Sequence, residues 1–318
     1  MGRERLTAVE LDYPQDQRQA GVHQQAPRPF WSRTLHKLKI PLMLAPALLV
    51  VVVLFGGGLV SAVLQSLGYM PIIGRYDFTL DAYRTIFTDP TFYRSLGLTL
   101  WIAIASTGTA TVLAIVSALA LRRPFRGKRL VSFVYQLNIP IPHLVGAIGI
   151  LLLFSQSGFL ARLAYFGGLI QEPSQFPALI YDRYALGIIL EYVWKTTFFM
   201  GVIVLSALQA AGDDYENVAR TLGANRWQRL RYVILPTIMP AVLSSSILVF
   251  AFTFGAFEVP YLLGQRFPSA LPVLAYRKYV DPDLNARPEA MALSIIISVI
   301  ITLLIFVYMK LSRRAIRS

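Results

Sequence analysis

Not one cysteine occurs in the 318 residues. Disulfides and thiolate metal sites are thereby excluded. Histidine is almost as scarce: His23, His36 and His143 are the only three, scattered along the chain, and no metal site is expected of them. Charge is thin too, at 15% of residues, and it is gathered into a few segments. Asp, Glu, Lys and Arg are missing altogether from Ile40–Gly74, Ser95–Leu121, Leu130–Leu160 and Ala290–Met309. Tyr184–Gly212 holds only Glu191 and Lys195, and Tyr232–Gly264 only Glu258. A soluble domain of this length would carry charge on every helix, whereas charge-free apolar runs above about 18 residues read as membrane spans. Catalytic signatures are absent as well. Gly127-Lys128 lacks the earlier glycine of a phosphate-binding loop, because Arg122 stands in its place, and no Gly-x-Ser-x-Gly or His-Glu-x-x-His occurs. The chain is read as no enzyme, without cofactor.

What is present is apolar surface. Apolar residues make up 55% of the chain, and the mean hydropathy is +0.55. Six apolar runs predict an all-α polytopic membrane protein of six transmembrane helices, the first over residues 37–68. That first run is too long for the apolar region of a signal peptide and lacks a clear small-residue cleavage site, so it reads as a retained helix. Residues 1–36, rich in Gln, Arg and Pro and without apolar periodicity, are expected to be a disordered basic tail. Orientation follows from Lys and Arg. With six spans both termini share one side, which carries seven basic residues before Ile40, five over Arg122–Arg129, four over Asp213–Arg231 and four after Met309. The three opposite loops carry three, two and four. The termini, including the basic segment 312–318, are therefore expected on the cytoplasmic side. The formal net charge of +13 then reflects topology and contact with membrane lipid, not nucleic acid.

Between Ala210 and Pro240 lies a charged island, AAGDDYENVARTLGANRWQRLRYVILPTIMP, set between two apolar spans. Tyr215, Val218, Ala219 and Leu222 recur at i, i+3, i+4, i+7 and give a short helix one apolar face. Asp213 is placed to cap it with Glu216 at the capping-box position, and Gly223 is where it should stop. A second helix is expected from Asn225, with Gln228 in the matching box position. Such a helix, lying on the membrane surface between spans four and five, offers its stripe to something outside the bilayer.

YENVARTLGANRWQRLRYVILP resembles the EAA motif of permease subunits of binding-protein-dependent bacterial ABC importers. Ala219, Gly223, Val233, Leu235 and Pro236 fall at the motif's spacing, while Asn217 replaces its glutamate, Val218 its first alanine and Val233 its isoleucine; Glu216 lies directly before Asn217. The resemblance implies that Tyr215, Glu216, Asn217, Val218, Ala219, Leu222, Gly223 and Pro236 form a coupling element seated in the ATP-binding subunit. It further implies a second permease subunit, related or identical, an extracytoplasmic solute-binding protein, and a permease core over residues 95–311. ATP binding would open the permease outward, and hydrolysis would reset it.

Several residues are candidates for the path. Pro140 and Pro142 interrupt the third run, where freed carbonyls need protein or a water-filled cavity to satisfy them; a kink made only for packing is the other reading. Glu191 and Lys195, four apart on one helix face, read either as a self-neutralising pair or as path lining. Glu258 has no local partner; it reads as a solvated boundary residue or as part of an outer gate with Phe254, Phe257 and Tyr261, after Gly255 thins the helix and before Pro260 breaks it. GAFEVPYLLG is similar to a segment of polyamine and ferric-iron importer permeases. An acidic residue there favours a cationic substrate, polyamine first, with sugar, phosphonate, iron or thiamine as alternatives. A secondary transporter driven by an ion gradient is the rival class; it should show a second broken segment related by an internal repeat, and none is found.

The absence of native cysteine makes the topology directly testable. Single cysteines at Arg126, Gln228 and Ser318 should be shielded from an impermeant thiol reagent in intact spheroplasts, while ones at Thr88, Ser174 and Asn285 should label. Labelling of Gln228 from outside would reverse the orientation.

Overall fold

The computed structural model describes residue 41 and residues 43–317. The expected tail over 1–36 and the start of the first span lie outside the described residues. The chain falls into two units, Met1–Leu59 and Val60–Ser318. What is described of the first unit is helical, with exposed apolar side chains such as Leu54 and Phe55. Among the described residues six helices are long and apolar enough to cross a membrane, as the six runs predict: Met43–Ser66, Pro90–Arg122, His143–Phe166, Leu186–Ala211, Arg226–Gly255 and Leu284–Lys310. They are called the first to sixth spans below. Among the described residues no strand occurs, only an isolated bridge between Met70 and Arg75.

Inside the second unit the second and fourth spans share the most extensive contact. The second presents a stripe of small residues, Ser95, Thr99, Ala103, Ser106, Ala110, Ala114 and Ala118, all buried. Small side chains let two helix backbones approach, and in a membrane that close packing replaces the hydrophobic drive of water. Of the stripe's hydroxyls, that of Thr99 donates to the Ser95 carbonyl (2.7 Å) and accepts from the Leu271 amide (2.8 Å). The second span itself begins at Asp89, whose carboxylate accepts the Thr91 amide at 2.8 Å; that bond holds the Asp89 carboxyl below its usual range.

The third apolar run departs from the expected single interrupted helix over 130–160. A helix over Lys128–Leu137 ends, the chain turns through Ile139–Pro142, and the third span starts at His143. Pro140 and Pro142 supply no amide, and each pushes its predecessor, Ile139 or Ile141, away from helical geometry. The span is interrupted again after Phe154 and resumes at Phe159. Gly158 permits that turn because a β-carbon there would press on the carbonyls of Leu152 and Leu153. Tyr135 fastens the Lys128–Leu137 helix to its neighbours: its hydroxyl bonds with Ser117 of the second span (2.8 Å) and donates to the Thr197 carbonyl of the fourth (3.1 Å).

The fifth span enters through a wide π-helical turn, Leu230–Ile234, just ahead of Pro236. Widening the turn there leaves room for a proline that has no amide to give. The span ends at Gly255, whose missing β-carbon would sit 3.2 Å from Ile301 of the sixth span. A new helix, Glu258–Leu263, follows, and Pro260 lies buried in its first turn. Pro260 therefore begins a helix and does not break one, because the first turn needs no amide from it. Beyond it, Leu271–Tyr279 packs on the sixth span and buries Leu271 and Leu274 with Phe254 and Leu293.

Gly201 of the fourth span faces the Tyr135 hydroxyl so closely that a methyl group would collide with it. Gly201→Ala should expel Tyr135 from its bonds to Ser117 and Thr197 and destabilise the subunit by about 1–3 kcal/mol. The melting temperature of the detergent-purified chain should fall, and adding Tyr135→Phe should recover part of the loss. An unchanged melting temperature would show that this contact is dispensable.

Candidate functional site

At the end of the bundle where the second and fourth spans finish, a helix over Asp214–Thr221 lies between two glycines with left-handed backbones, Gly212 (φ +67°) and Gly223 (φ +83°). Gly223 terminates it as a sequence reader expects. The Ala224 amide reaches the Ala219 carbonyl (3.0 Å) and the Gly223 amide the Arg220 carbonyl (3.1 Å), the paired bonds of a Schellman stop. The next helix, Arg226–Arg229, starts with the expected box: the Asn225 side chain accepts the Gln228 amide and Gln228 accepts the Asn225 amide, both at 2.8 Å. Tyr215 (72% exposed), Val218 (58%) and Leu222 (83%) leave the apolar stripe uncovered by this chain, and Asn217 is exposed beside them. Ala219 is half-buried, and Pro236 stands exposed at the start of the fifth span's regular helix.

Two expectations about this helix are corrected. Asp213 makes no capping bond with its side chain. It pairs with Arg122, the last residue of the second span. Glu216 does not fold back to complete a box; its carboxylate takes Arg122 Nη1 at 2.7 Å and Arg229 Nε at 3.3 Å. The guanidinium groups win because a charged fork binds two carboxylates more strongly than an amide binds one.

Deeper in the bundle the break at Pro140 and Pro142 is filled by the fourth span. The Lys195 ammonium donates to the carbonyls of Asn138 and Ile141, both at 2.5 Å, with Ile139 farther off at 3.5 Å. Asn138 is the carbonyl whose helical donor would have been the amide that Pro142 lacks, and those of Ile139 and Ile141 lie in the turn between the two helices. One turn earlier Glu191, wholly buried, accepts from or binds His143 Nδ1 at 3.0 Å. Gly146 makes this possible, since a β-carbon there would lie 3.0 Å from Glu191 Oε1 and 2.9 Å from the Trp194 ring. Glu191 and Lys195 thus do not pair with each other; among the described residues no ion pair joins them. Each clamps one side of the break. Beside it opens a cavity of about 480 Å³, walled by Pro140, Pro142, His143, Lys195, Phe199 and Phe252 among others.

At the opposite end Glu258 is exposed in the first turn of its helix, with Tyr261 half-exposed. Phe257, Tyr261 and Tyr276 pack ring to ring at 4.4–5.5 Å. Tyr261 and Tyr276 also edge a recess of about 830 Å³ that includes Tyr181, Arg266 and Arg277. Phe254 does not belong there: it is fully buried, tilted against Phe250 and packed with Leu271 and Leu293. Its position in the helix turns it toward the sixth span, so it lines no path in this chain. Sequence reasoning missed His143, Arg122 and Arg229. For His143 the available signal was its place directly after Pro142, and for Arg122 its place as the first charge after a long apolar run.

Residues 110–318 match the family described as binding-protein-dependent transport system inner membrane component. The trehalose transport system permease protein SugA of Mycobacterium tuberculosis is 28% identical over 236 residues, 73% of this chain and 74% of that protein. The putrescine transport system permease protein PotI of Escherichia coli K12 is 28% identical over 64% of this chain and 69% of its own. A crystal structure of a bacterial ABC transporter involved in the import of the acidic polysaccharide alginate shares the fold, with a TM-score of 0.76 at 19% identity over 89% of this chain and 98% of that one. The chain belongs to the family: it is a multi-pass membrane permease component of an ABC importer.

The clamp at the break makes a clear prediction. Lys195→Met keeps length and volume but leaves the freed carbonyls without a donor, at a cost of about 1–3 kcal/mol for each buried group. The melting temperature in detergent should drop, and Lys195→Arg should lose less. Equal melting of Lys195→Met and the parent would show that water, not Lys195, satisfies the break.

Proposed function

We propose that this member of the binding-protein-dependent transport inner-membrane-component family docks an ATP-binding subunit on the Asp214–Thr221 helix and carries substrate past the break at Pro140 and Pro142. The observation that carries the reading is an apolar stripe, Tyr215, Val218 and Leu222, standing uncovered on a helix fixed at its end by a Schellman stop. A helix of that kind fits a cleft in a partner, with Asn217 at its rim in place of the motif's glutamate. Residues 95–311 form the transport core, both termini and the docking helix face the cytoplasm, and a second permease chain completes the path. An extracytoplasmic binding protein delivers substrate, and hydrolysis takes place in the ATP-binding subunits.

Lys195, Pro140 and Pro142 take the path role through the cavity they border, and Glu191, buried behind it, acts there through its bond to His143. His143 and Thr196 are the polar groups that border it beside Lys195. Glu258 and Tyr261 belong to the outer gate, and the exposed carboxylate of Glu258 favours a cationic solute, polyamine first. Putrescine is named for one relative and trehalose for another, so the substrate class rests on Glu258 alone.

Gly223→Val tests the docking reading. Its left-handed backbone is strained for a β-branched residue, although open space surrounds the position. The purified complex should keep its contacts with the binding protein and lose stimulated ATP hydrolysis; full stimulation would sink the docking role. Glu258→Gln tests the substrate class. A charge-assisted hydrogen bond is worth about 1.5–3 kcal/mol, so uptake should fall roughly ten- to a hundredfold while assembly persists. Normal uptake by a well-expressed variant removes the case for a cation.

A further inference from the structure

The covalent links of Asp214–Thr221 run through Gly212 and Asp213 on one side and through Leu222, Gly223, Ala224 and Asn225 on the other. Gly212 and Gly223 both hold left-handed backbones, and nothing lies within 4 Å of where either β-carbon would be. The Gly223 turn is closed by its Schellman bonds, so the covalent chain ties the helix toward the fifth span, but nothing in it leads directly to the second span.

The side chains supply a second connection. Arg122 ends the second span, and its guanidinium forks between Asp213 and Glu216 (2.7 Å to the latter). The other oxygen of Glu216 takes Arg229 at 3.3 Å, on the helix that leads into the fifth span. Three of these groups are largely enclosed: the side chains of Arg122, Glu216 and Arg229 are 15%, 21% and 13% exposed, while Asp213 at 71% faces solvent. Exposed pairs contribute little because solvent screens them, whereas a forked guanidinium in a partly enclosed network is both stronger and fixed in direction. The second span, in turn, shares the most extensive contact of the bundle with the fourth.

We propose that Arg122 is a positioning residue that ties the docking helix to the second span, so that movement imposed on the helix reaches the centre of the bundle. In this arrangement Glu216 serves the permease internally and bridges three elements, while Asn217 and the apolar stripe face the partner. The inference rests on the reading that an ATP-binding subunit docks on this helix.

The experiment uses the complete complex, with its binding protein purified carrying whatever ligand it holds from the cell. In Arg122→Ala the ATP-binding subunit should co-purify at the parent ratio and basal hydrolysis should persist, while stimulation by the binding protein falls at least tenfold. Arg122→Lys, able to reach one carboxylate, should recover part. Arg122→Gln replaces the alanine variant if that one fails to insert. Because the chain has no native cysteine, Arg122→Cys with Asp213→Cys can be joined by a short bifunctional maleimide. Joining should restore stimulation that the unjoined pair lacks, an outcome that a merely structural arginine would not give. Full stimulation in Arg122→Ala or Arg122→Gln overturns the proposal. So does loss of the ATP-binding subunit from either variant, since Arg122 would then shape the docking surface itself. Failure of the parent chain to co-purify an ATP-binding subunit defeats the docking reading, and the proposal with it.

Discussion

A backbone carbonyl without a donor is costly in an apolar medium, and this constraint shapes the centre of the molecule. The third apolar run contains two prolines that cannot continue a helix, so the carbonyls of Asn138, Ile139 and Ile141 are released in the middle of the bundle. Lys195 answers them from the fourth span. An ammonium ion buried there would itself be expensive, and the carbonyls pay its desolvation as it satisfies theirs. Glu191 repeats the logic one turn away with His143. The charged groups of the fourth span are thus explained by the prolines of the third, and neither set makes sense alone.

Around this clamp the packing is made of small residues. The alanine and hydroxyl stripe of the second span and Gly201 of the fourth bring those helices close enough for Tyr135 to reach both. Gly146 does the same for Glu191. Removing side-chain bulk leaves little apolar area to bury, so in this bundle closeness of backbones and a few polar bonds carry the cohesion. The Asp214–Thr221 helix, proposed above as the docking element, lies outside that regime. It keeps its apolar stripe exposed and is held by ion pairs and a Schellman stop.

The six spans and the surface helix were legible in the sequence because their signals are local: hydropathy over a run, a 3.6-residue stripe, a glycine stop, an Asn225–Gln228 box. What was not legible is pairing across the chain. Glu191 and Lys195 are four apart and look made for each other, yet each has a stronger claim on it from a segment some fifty residues earlier. Asp213 and Glu216 fit a capping pattern, but Arg122, ninety-one residues before Asp213, competes for both. Phe254 looked like path lining because it lies near Glu258 in sequence; which face of the helix meets the sixth span is decided by Gly255 and Ile301, a contact no local pattern reveals. Pro260 was misread for a simpler reason, since a helix start and a helix break carry the same residue.

The break also divides the third run into two parts with different anchors. The Lys128–Leu137 helix is tied by Tyr135 to the second and fourth spans, and the segment from His143 is tied by His143 to Glu191. Between them, Ile139–Pro142 is held chiefly through carbonyls gathered on one ammonium group. Carbonyl–ammonium bonds are less directional than a helical ladder, because three donors on a rotating group can follow small shifts of their acceptors. The two halves can therefore change their angle without leaving a buried polar group bare. The cavity of about 480 Å³ borders this joint, so a change of angle would alter its walls directly. On the proposed reading that substrate passes this break, movement there costs few hydrogen bonds.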